Sequence, residues 1–556
     1  MPMLRALPLL AALVLPMFAA HAAAPSLPTP RATPDDGAVQ VNRLTQPSLR
    51  FATPQDAASA SAAPGRLQLL TPIGTPVNGL VKIAGRDAVF EPTAPLAGCT
   101  AYTLQLAAKT PDATQMSLRS RFTTACSAWT TPIEIDDART ARLVDRPASG
   151  AQVVAGANGE VIAAWFQNDG RHNAIEVSRY TPATDFWSAP RGIDLRTAQA
   201  ESAGIPALAA DAQGRVTAVW FQALNGRNAI LASRLDPDGD WSAPVRLDDP
   251  RLPGNATNPQ LAADADGNVA VVWQQPDRRH TGIDAARWIQ AQGRWLPAHA
   301  LDRLPAHAYD PVIAATPDGR FAAAWQQGAR GREAVYAARP RGDGGLWQAP
   351  QRVSMPGARA QMPALVADAQ GGFTAAWVQG SGAKRRLATS RLAAGARAWA
   401  PAVVMQTPAP FQGAALAPAL AADAAGNVML AWEQADAAGR DAIFASRFNV
   451  ASRRWGAPER LDDPQQDSAG NPQLVADAAG NVTCAWYQAG PRGLQVHAAR
   501  FDPAVSRWSA PTQLSDPRAT VEASFPVLAA DAAGSLTAVW QQYNGWRTLV
   551  MASRLP

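Results

Sequence analysis

At 556 residues, 47% of them hydrophobic and 17% charged, the chain is too long for one ordinary domain and has the composition of a folded protein rather than a disordered or collagen-like one. The formal charge of +5 is small for this length, and among 50 basic residues only Lys82, Lys109 and Lys384 are lysines, the arginines being scattered singly; nucleic acid and an anionic membrane surface are therefore excluded as expected partners. With 47 Pro and 41 Gly the chain favours turns over long helices, so an all-β fold is expected.

Residues 1–24 hold a single positive charge, Arg5, then an apolar stretch over 6–20 and small-x-small cleavage sites ending at Ala22 and Ala24. This pattern predicts a cleaved signal peptide; the apolar run is short for a membrane span and contains Pro8 and Pro16. Once it is removed no membrane span is expected, and the protein is read as exported, periplasmic or secreted. Residues 25–39, rich in Pro, Ala and Thr, read as a linker.

Over 40–127, short alternating runs broken by Pro and Gly, at 80–85, 87–92, 99–106 and 117–124, suit a β-sandwich. The run AVFEPTAPLAGCTAYTLQL (88–106), closing on RFTTA (121–125), resembles the bacterial Ig-like domains of S-layer type. That resemblance implies a spacer or adhesive module outside the cytoplasm, without chemistry of its own. Cys99 and Cys126 bracket the last two expected strands, and in an oxidising compartment a disulfide between them is expected, with two free thiols as the alternative. Cys484 falls in a repeated strand where other repeats carry Ala or Val, and reads as a small buried residue.

From residue 128 to 556 the chain repeats every 52 to 55 residues. Trp165, Trp220, Trp273, Trp325, Trp377, Trp432, Trp486 and Trp540 each stand six residues after a Gly and two before a Gln. Fourteen residues before the Trp comes a Pro, replaced by Ala151 in the first repeat; fourteen or fifteen after it comes an Arg. A second Trp opens the last segment of each unit, as in WSAPVRLDD (241–249). Each unit thus reads as four short strands, one propeller blade. The last repeat stops after its third strand, and AWTTPIEIDD (128–137) carries the missing Trp, Pro and Asp pattern ahead of the first unit. The expected fold is all-β: an N-terminal Ig-like sandwich followed by an eight-bladed β-propeller closed non-covalently between its N- and C-terminal strands.

The order of these repeats resembles the BNR or sialidase class of propellers, which implies a sugar-processing site where a Tyr with a carboxylate partner attacks the sugar. The chain departs from that class: Asp238, Gly239 and Trp241 are not spaced as an Asp-box, and no RIP-type arginine motif is present. Five His in the mature chain, no HExxH, no GxSxG and no Gly-rich phosphate loop leave no catalytic, cofactor or metal assignment.

Residues recurring in every repeat are assigned to the scaffold: the Asp of the DxxG turn and the recurring Arg as ion pairs or turn caps, the recurring Gln as a backbone hydrogen-bonder, and Asp136, Asp194, Asp248, Asp302 and Asp462 as solvated turns. A ligand site must break the symmetry. The position just before the recurring Pro, or before Ala151, does so: Gly150, Ile205, Asn258, Asp310, Met362, Ala417, Asn471 and Phe525. On the face bearing the recurring Gln, Asn258, Tyr309, Asp310, Asn471 and Phe525 are the candidate ligand-binding residues, a mixture of hydrogen-bonding groups and aromatic surfaces suited to a sugar or peptide. The leading expectation is a non-enzymatic binding propeller for a glycan, a peptide or an extracytoplasmic protein; the alternatives are a sialidase-like glycoside hydrolase and a periplasmic assembly scaffold.

Overall fold

The computed structural model describes residues 30–556 apart from 42–44, 55–56, 59–66, 94–95, 99, 110–114, 125–127, 137–146, 157, 169, 237–238, 303, 343–345, 407–412, 437 and 517–521. The expected signal peptide and the Cys99–Cys126 bridge fall outside the described residues.

The protein is all-β. Near the N-terminus two four-stranded sheets face each other. One runs in the order Arg31–Thr33, Ser48–Arg50, Asp87–Pro92, Gly79–Ala84, the other Ala38–Val41, Gln115–Thr124, Ala101–Lys109, Leu67–Leu70. Alternation explains the burial: Leu67 and Leu69 point inward while Gln68 does not, and they meet Leu49, Phe90, Leu104 and Phe122 in one core.

Eight further sheets follow among the described residues, one per repeat, each of four or five strands. The sixth is representative. Its inner strand Ala415–Ala422 pairs with Val428–Ala435, that with Asp441–Asn449, and the last with the short outer pieces Arg454–Trp455 and Glu459–Arg460. In the eighth sheet the outer piece comes from far upstream: Ile133–Glu134 pairs antiparallel with Thr548–Leu555, Glu134 opposite Met551. Thr130 donates its backbone N–H to the Arg554 carbonyl at 2.7 Å, and Trp129 packs onto the core around Trp540. The inner strands touch in cyclic order through the eight sheets, and Glu522–Ala530 of the last also lies against Ala148–Ala155 of the first.

The recurring Trp is fully buried in every sheet and packs toward the preceding one, as Trp540 does against Val496 and Ala498. Burial of such a side chain stabilises by roughly 2 to 3 kcal/mol, so these indoles carry much of the adhesion between sheets. The recurring Gln completes the joint. Gln327 Oε1 accepts the Trp325 indole N–H at 3.0 Å, while its amide nitrogen donates to the carbonyls of Leu304 and Ala306, in the loop leading from the preceding sheet. At the opposite edge the DxxG carboxylates cap their own turns, and from the fifth sheet to the eighth they pair with the recurring Arg, as Asp477 does with Arg500 at 2.6 Å.

One expectation is corrected. The carboxylates after the outer strands are not solvated: Asp136, Asp194, Asp248 and Asp462 are buried, and Asp302 is half-buried. Asp248, Asp302, Asp462 and Asp136 accept the backbone N–H of Ile230, Ile283, Ile443 and Val550. Ser354 and Ser515 do the same for Val335 and Val496, so the position demands an acceptor rather than a charge. Cys484 is free and buried in the seventh sheet.

The sandwich meets the turns of the seventh and eighth sheets on the side carrying the recurring Arg. Asn481 Nδ2 donates to Thr100 Oγ1 at 3.0 Å, and Ile73 and Ala97 stand where side chains on Gly480 and Gly534 would otherwise lie.

Candidate functional site

The position before the recurring Pro has an unusual backbone. Gly150, Asn258, Asp310, Met362, Ala417, Asn471 and Phe525 all have positive φ, between 45° and 67°, and each sits in a β-bulge of its inner strand. Left-handed backbone is costly for Met, Ala and above all Phe, and a bulge turns a side chain out of the regular alternation. The bulged residues project at the Gln-bearing face, and Phe525 is 55% exposed.

Three of the bulges are held by the residue directly after the recurring Trp of the preceding sheet. This position reads Phe166, Phe221, Gln274, Gln326, Val378, Glu433, Tyr487 and Gln541. Gln274, Gln326 and Glu433 reach the inner strand of the next sheet, whereas Phe166, Phe221 and Tyr487 lie over Gly150, Gly204 and Gly470 of their own. Asp310 donates its backbone N–H to Gln274 Oε1 at 2.9 Å, Met362 to Gln326 Oε1 at 3.2 Å, and Asn471 to Glu433 Oε1 at 2.6 Å.

The five residues singled out from the sequence fall into two groups. Around Asp310, Gln326 Nε2 donates to the carboxylate at 2.8 Å, and Tyr309 stacks on His307 with ring centroids 5.9 Å apart and planes within 10°. His307 Nδ1 accepts the Thr281 backbone N–H, and the His280 ring meets His307 edge-on at 5.7 Å. Burial raises the Asp310 pKa above the ordinary carboxylate value. Asn258 occupies the equivalent bulge of the neighbouring third sheet.

The second group gathers around Asn471. Glu433 of the sixth sheet holds its N–H from one side, and Tyr487 of the seventh lies over Gly470 on the other; a Cβ on Gly470 would come within 2.6 Å of the phenol oxygen, so glycine is what admits this ring. Phe525 meets Tyr487 edge-on at 6.3 Å. Burial raises the Glu433 pKa, and the charge of Asp441, at the start of the third strand of the same sheet, raises it further. Asp441 is itself raised by burial and by Asp436, against the opposing effect of Arg385. Tyr487 is raised by burial, then by the charges of Glu433 and Asp441. A tyrosine and two reluctant carboxylates thus share one electrostatic environment.

Glu433, Tyr487 and Asp441 were not among the candidates read from the sequence. The signal was present, because at the post-Trp position only Glu433 and Tyr487 are titratable and they fall in consecutive repeats. Their meeting was not legible, since it depends on side chains reaching from one sheet to the bulge of the next.

A family model described as a bacterial Ig-like domain matches residues 24–131. No curated protein matches the chain. Similar solved structures include a Penicillium chrysogenum α-L-arabinanase complexed with arabinobiose, at 14% identity over 54% of this chain and 93% of that one, with a TM-score of 0.36. An ulvan lyase of polysaccharide lyase family 25 matches at 10% identity over 65% of this chain and 93% of that one, with a TM-score of 0.41. A leech intramolecular trans-sialidase matches at 9% identity over 77% of this chain and 98% of that one, with a TM-score of 0.34.

The expectation of a non-enzymatic binding propeller is corrected here. The similar structures are mostly enzymes whose names specify glycans. Among the described residues no helix is long and apolar enough to cross a membrane.

Proposed function

We propose that this protein is an exported glycan-processing enzyme, a glycoside hydrolase of sialidase-like kind, whose site lies at the Gln-bearing face around Tyr487, Glu433 and Asp441. The observation that carries this reading is the symmetry break itself: two titratable side chains occupy equivalent positions of consecutive sheets and flank one strained bulge, with a second carboxyl, Asp441, in electrostatic range.

In the proposed reaction the Tyr487 oxygen bonds to the anomeric carbon while Glu433 takes the phenol proton, which a phenol of raised pKa does not release unaided. The bond from that carbon to the leaving oxygen breaks, and the oxygen departs with the proton of Asp441; a carboxyl raised by its surroundings is suited to hold that proton. Water then attacks the same carbon as Asp441 takes its proton, and the tyrosyl oxygen leaves and recovers its proton from Glu433, which returns every group to its starting state. Asn471 and Phe525 form the near wall of the substrate channel, and Asn258, Tyr309 and Asp310 the far wall, because the third and fourth sheets stand four places round from the seventh and eighth. The ring is read as an eight-bladed propeller closed by 128–137, supported by the pairing of Ile133–Glu134 with the last strand and by the cyclic order of inner strands.

A panel of chromogenic glycosides, with arabinan and acidic polysaccharides beside it, tests the assignment. Tyr487→Phe and Glu433→Gln should each lower kcat/KM by about 100-fold or more on whichever substrate the wild type cleaves. Turnover that both variants retain, or a folded wild type inert on the whole panel, overturns it.

A further inference from the structure

On the opposite face, between the fourth and fifth sheets, a cavity of about 490 Å³ is lined by Arg287, Arg320, Arg339 and Arg397, and no carboxylate lines it among the described residues. Its size falls within the range of about 300 to 1,000 Å³ usual for small-ligand pockets. The charge arises where the repeat loses its own neutralising group. In the fifth, sixth and seventh sheets the recurring Arg is bridged by the Asp of its DxxG turn, Arg391 to Asp368, Arg447 to Asp423 and Arg500 to Asp477. In the fourth sheet Thr316 replaces that Asp, and its hydroxyl is engaged with Asp318.

Arg339 therefore turns away from its own sheet. It donates to the carbonyls of Ala396 at 3.2 Å and Arg397 at 3.1 Å, in the corresponding loop of the fifth sheet. Arg320 reaches across to the Gly371 carbonyl at 3.3 Å while bridging to Asp318, a pair about half exposed on both sides. Arg287 lies over the Phe321 ring at 5.3 Å, which fixes one wall. The carbonyl partners of Arg339 orient its guanidinium without neutralising it, and a planar guanidinium leaves further N–H groups for a bidentate oxyanion.

We propose that this cavity binds an oxyanion, the sulfate or carboxylate group of an acidic polysaccharide or the free anion, at a site separate from the Tyr487 cluster. Arg339 is the fixed donor, Arg320, paired with Asp318 and held to the Gly371 carbonyl, flanks it, and Arg397, exposed at the rim, is the mobile one. The cavity holds more than a bare oxyanion, so an anionic sugar ring fits its size. The assignment stands independently of any hydrolase activity, since the two sites use different faces and share no residue.

The experiment compares dextran sulfate, neutral dextran and sodium sulfate by affinity electrophoresis and isothermal titration at low ionic strength, with wild type, Arg397→Ala and Arg339→Gln. Arg397→Ala leaves the buried structure untouched, and melting curves establish that Arg339→Gln folds. Dextran sulfate but not dextran should bind, and each variant should weaken binding by about tenfold, the scale of one charge-assisted contact. Binding of sulfate alone assigns the site to a free oxyanion. Asp343, in the adjoining loop, lies outside the described residues; with Asp343→Asn, binding that is unchanged or stronger accords with the proposal. Binding that is absent in wild type, or equal in wild type and both arginine variants, overturns it.

Discussion

Single side chains in the repeated frame show where the scaffold tolerates chemistry. The third-strand residue opposite the recurring Trp is buried in six of the eight sheets, and in the third it is Asp284, opposite Trp273. Burial, and after it the charges of Asp302, Asp249 and Asp248, push the Asp284 carboxyl up to about 7. A folded-state pKa above the unfolded value means that the native state holds the proton more tightly. Its favourable contribution is therefore complete below about pH 4 and is lost as pH rises through about 7. Asp284→Asn keeps the shape and removes the ionisation. The variant should melt at a higher temperature than wild type at pH 8 and near the wild-type temperature at about pH 4 or below; calorimetry at the two pH values decides, and an equal shift at both would refute the titration account.

At the scale of the strand, the seven left-handed bulges are a device repeated for geometry and filled for another reason. Gly150 meets the requirement at no steric cost, yet the same backbone carries Ala417 at φ 45° and Phe525 at φ 51°. An L-residue pays about 1 to 2 kcal/mol in this region, offset for glycine by its freer unfolded chain. Ala417→Gly should therefore stabilise the protein by up to about 1 kcal/mol, measurable as a higher midpoint in urea. Phe525→Gly should gain similarly while damaging turnover if the phenyl ring forms part of the substrate wall. Loss of stability in Ala417→Gly would mean that the bulge is not strained.

For the whole molecule, the join between the N-terminal piece and the last strand bears on stability. The outer piece of the eighth sheet is held by backbone pairing, by Trp129 against the core around Trp540, and by ion pairs from Arg547 to Asp136 and Glu134. Asp136 is raised to about 6 despite Arg547, because burial outweighs the guanidinium. The indole is accordingly the main fastener. Trp129→Ala should cost about 2 to 3 kcal/mol and lower the melting temperature of the propeller, leaving the sandwich transition in place. An unchanged melting temperature would show that the ring does not depend on this strap.

The sequence by itself determined the all-β class, the N-terminal Ig-like unit, the repeat length, the buried Trp and the scaffold role of the recurring Asp, Arg and Gln. Each of these is local or periodic: alternation fixes the buried face, and a residue present in every unit must satisfy something that every unit contains. Position alone likewise picked out the variable residues before the Pro, including Asn471 and Phe525. The partners at the site came from tertiary structure. Glu433 and Asn471 are 38 residues apart and meet only because one sheet's second strand faces the next sheet's bulge. Arg339 and the Ala396 carbonyl, 57 residues apart, meet for the same reason on the opposite face. A period describes what a sheet does for itself; chemistry between neighbouring sheets depends on their stacking, and no pattern within one repeat encodes it.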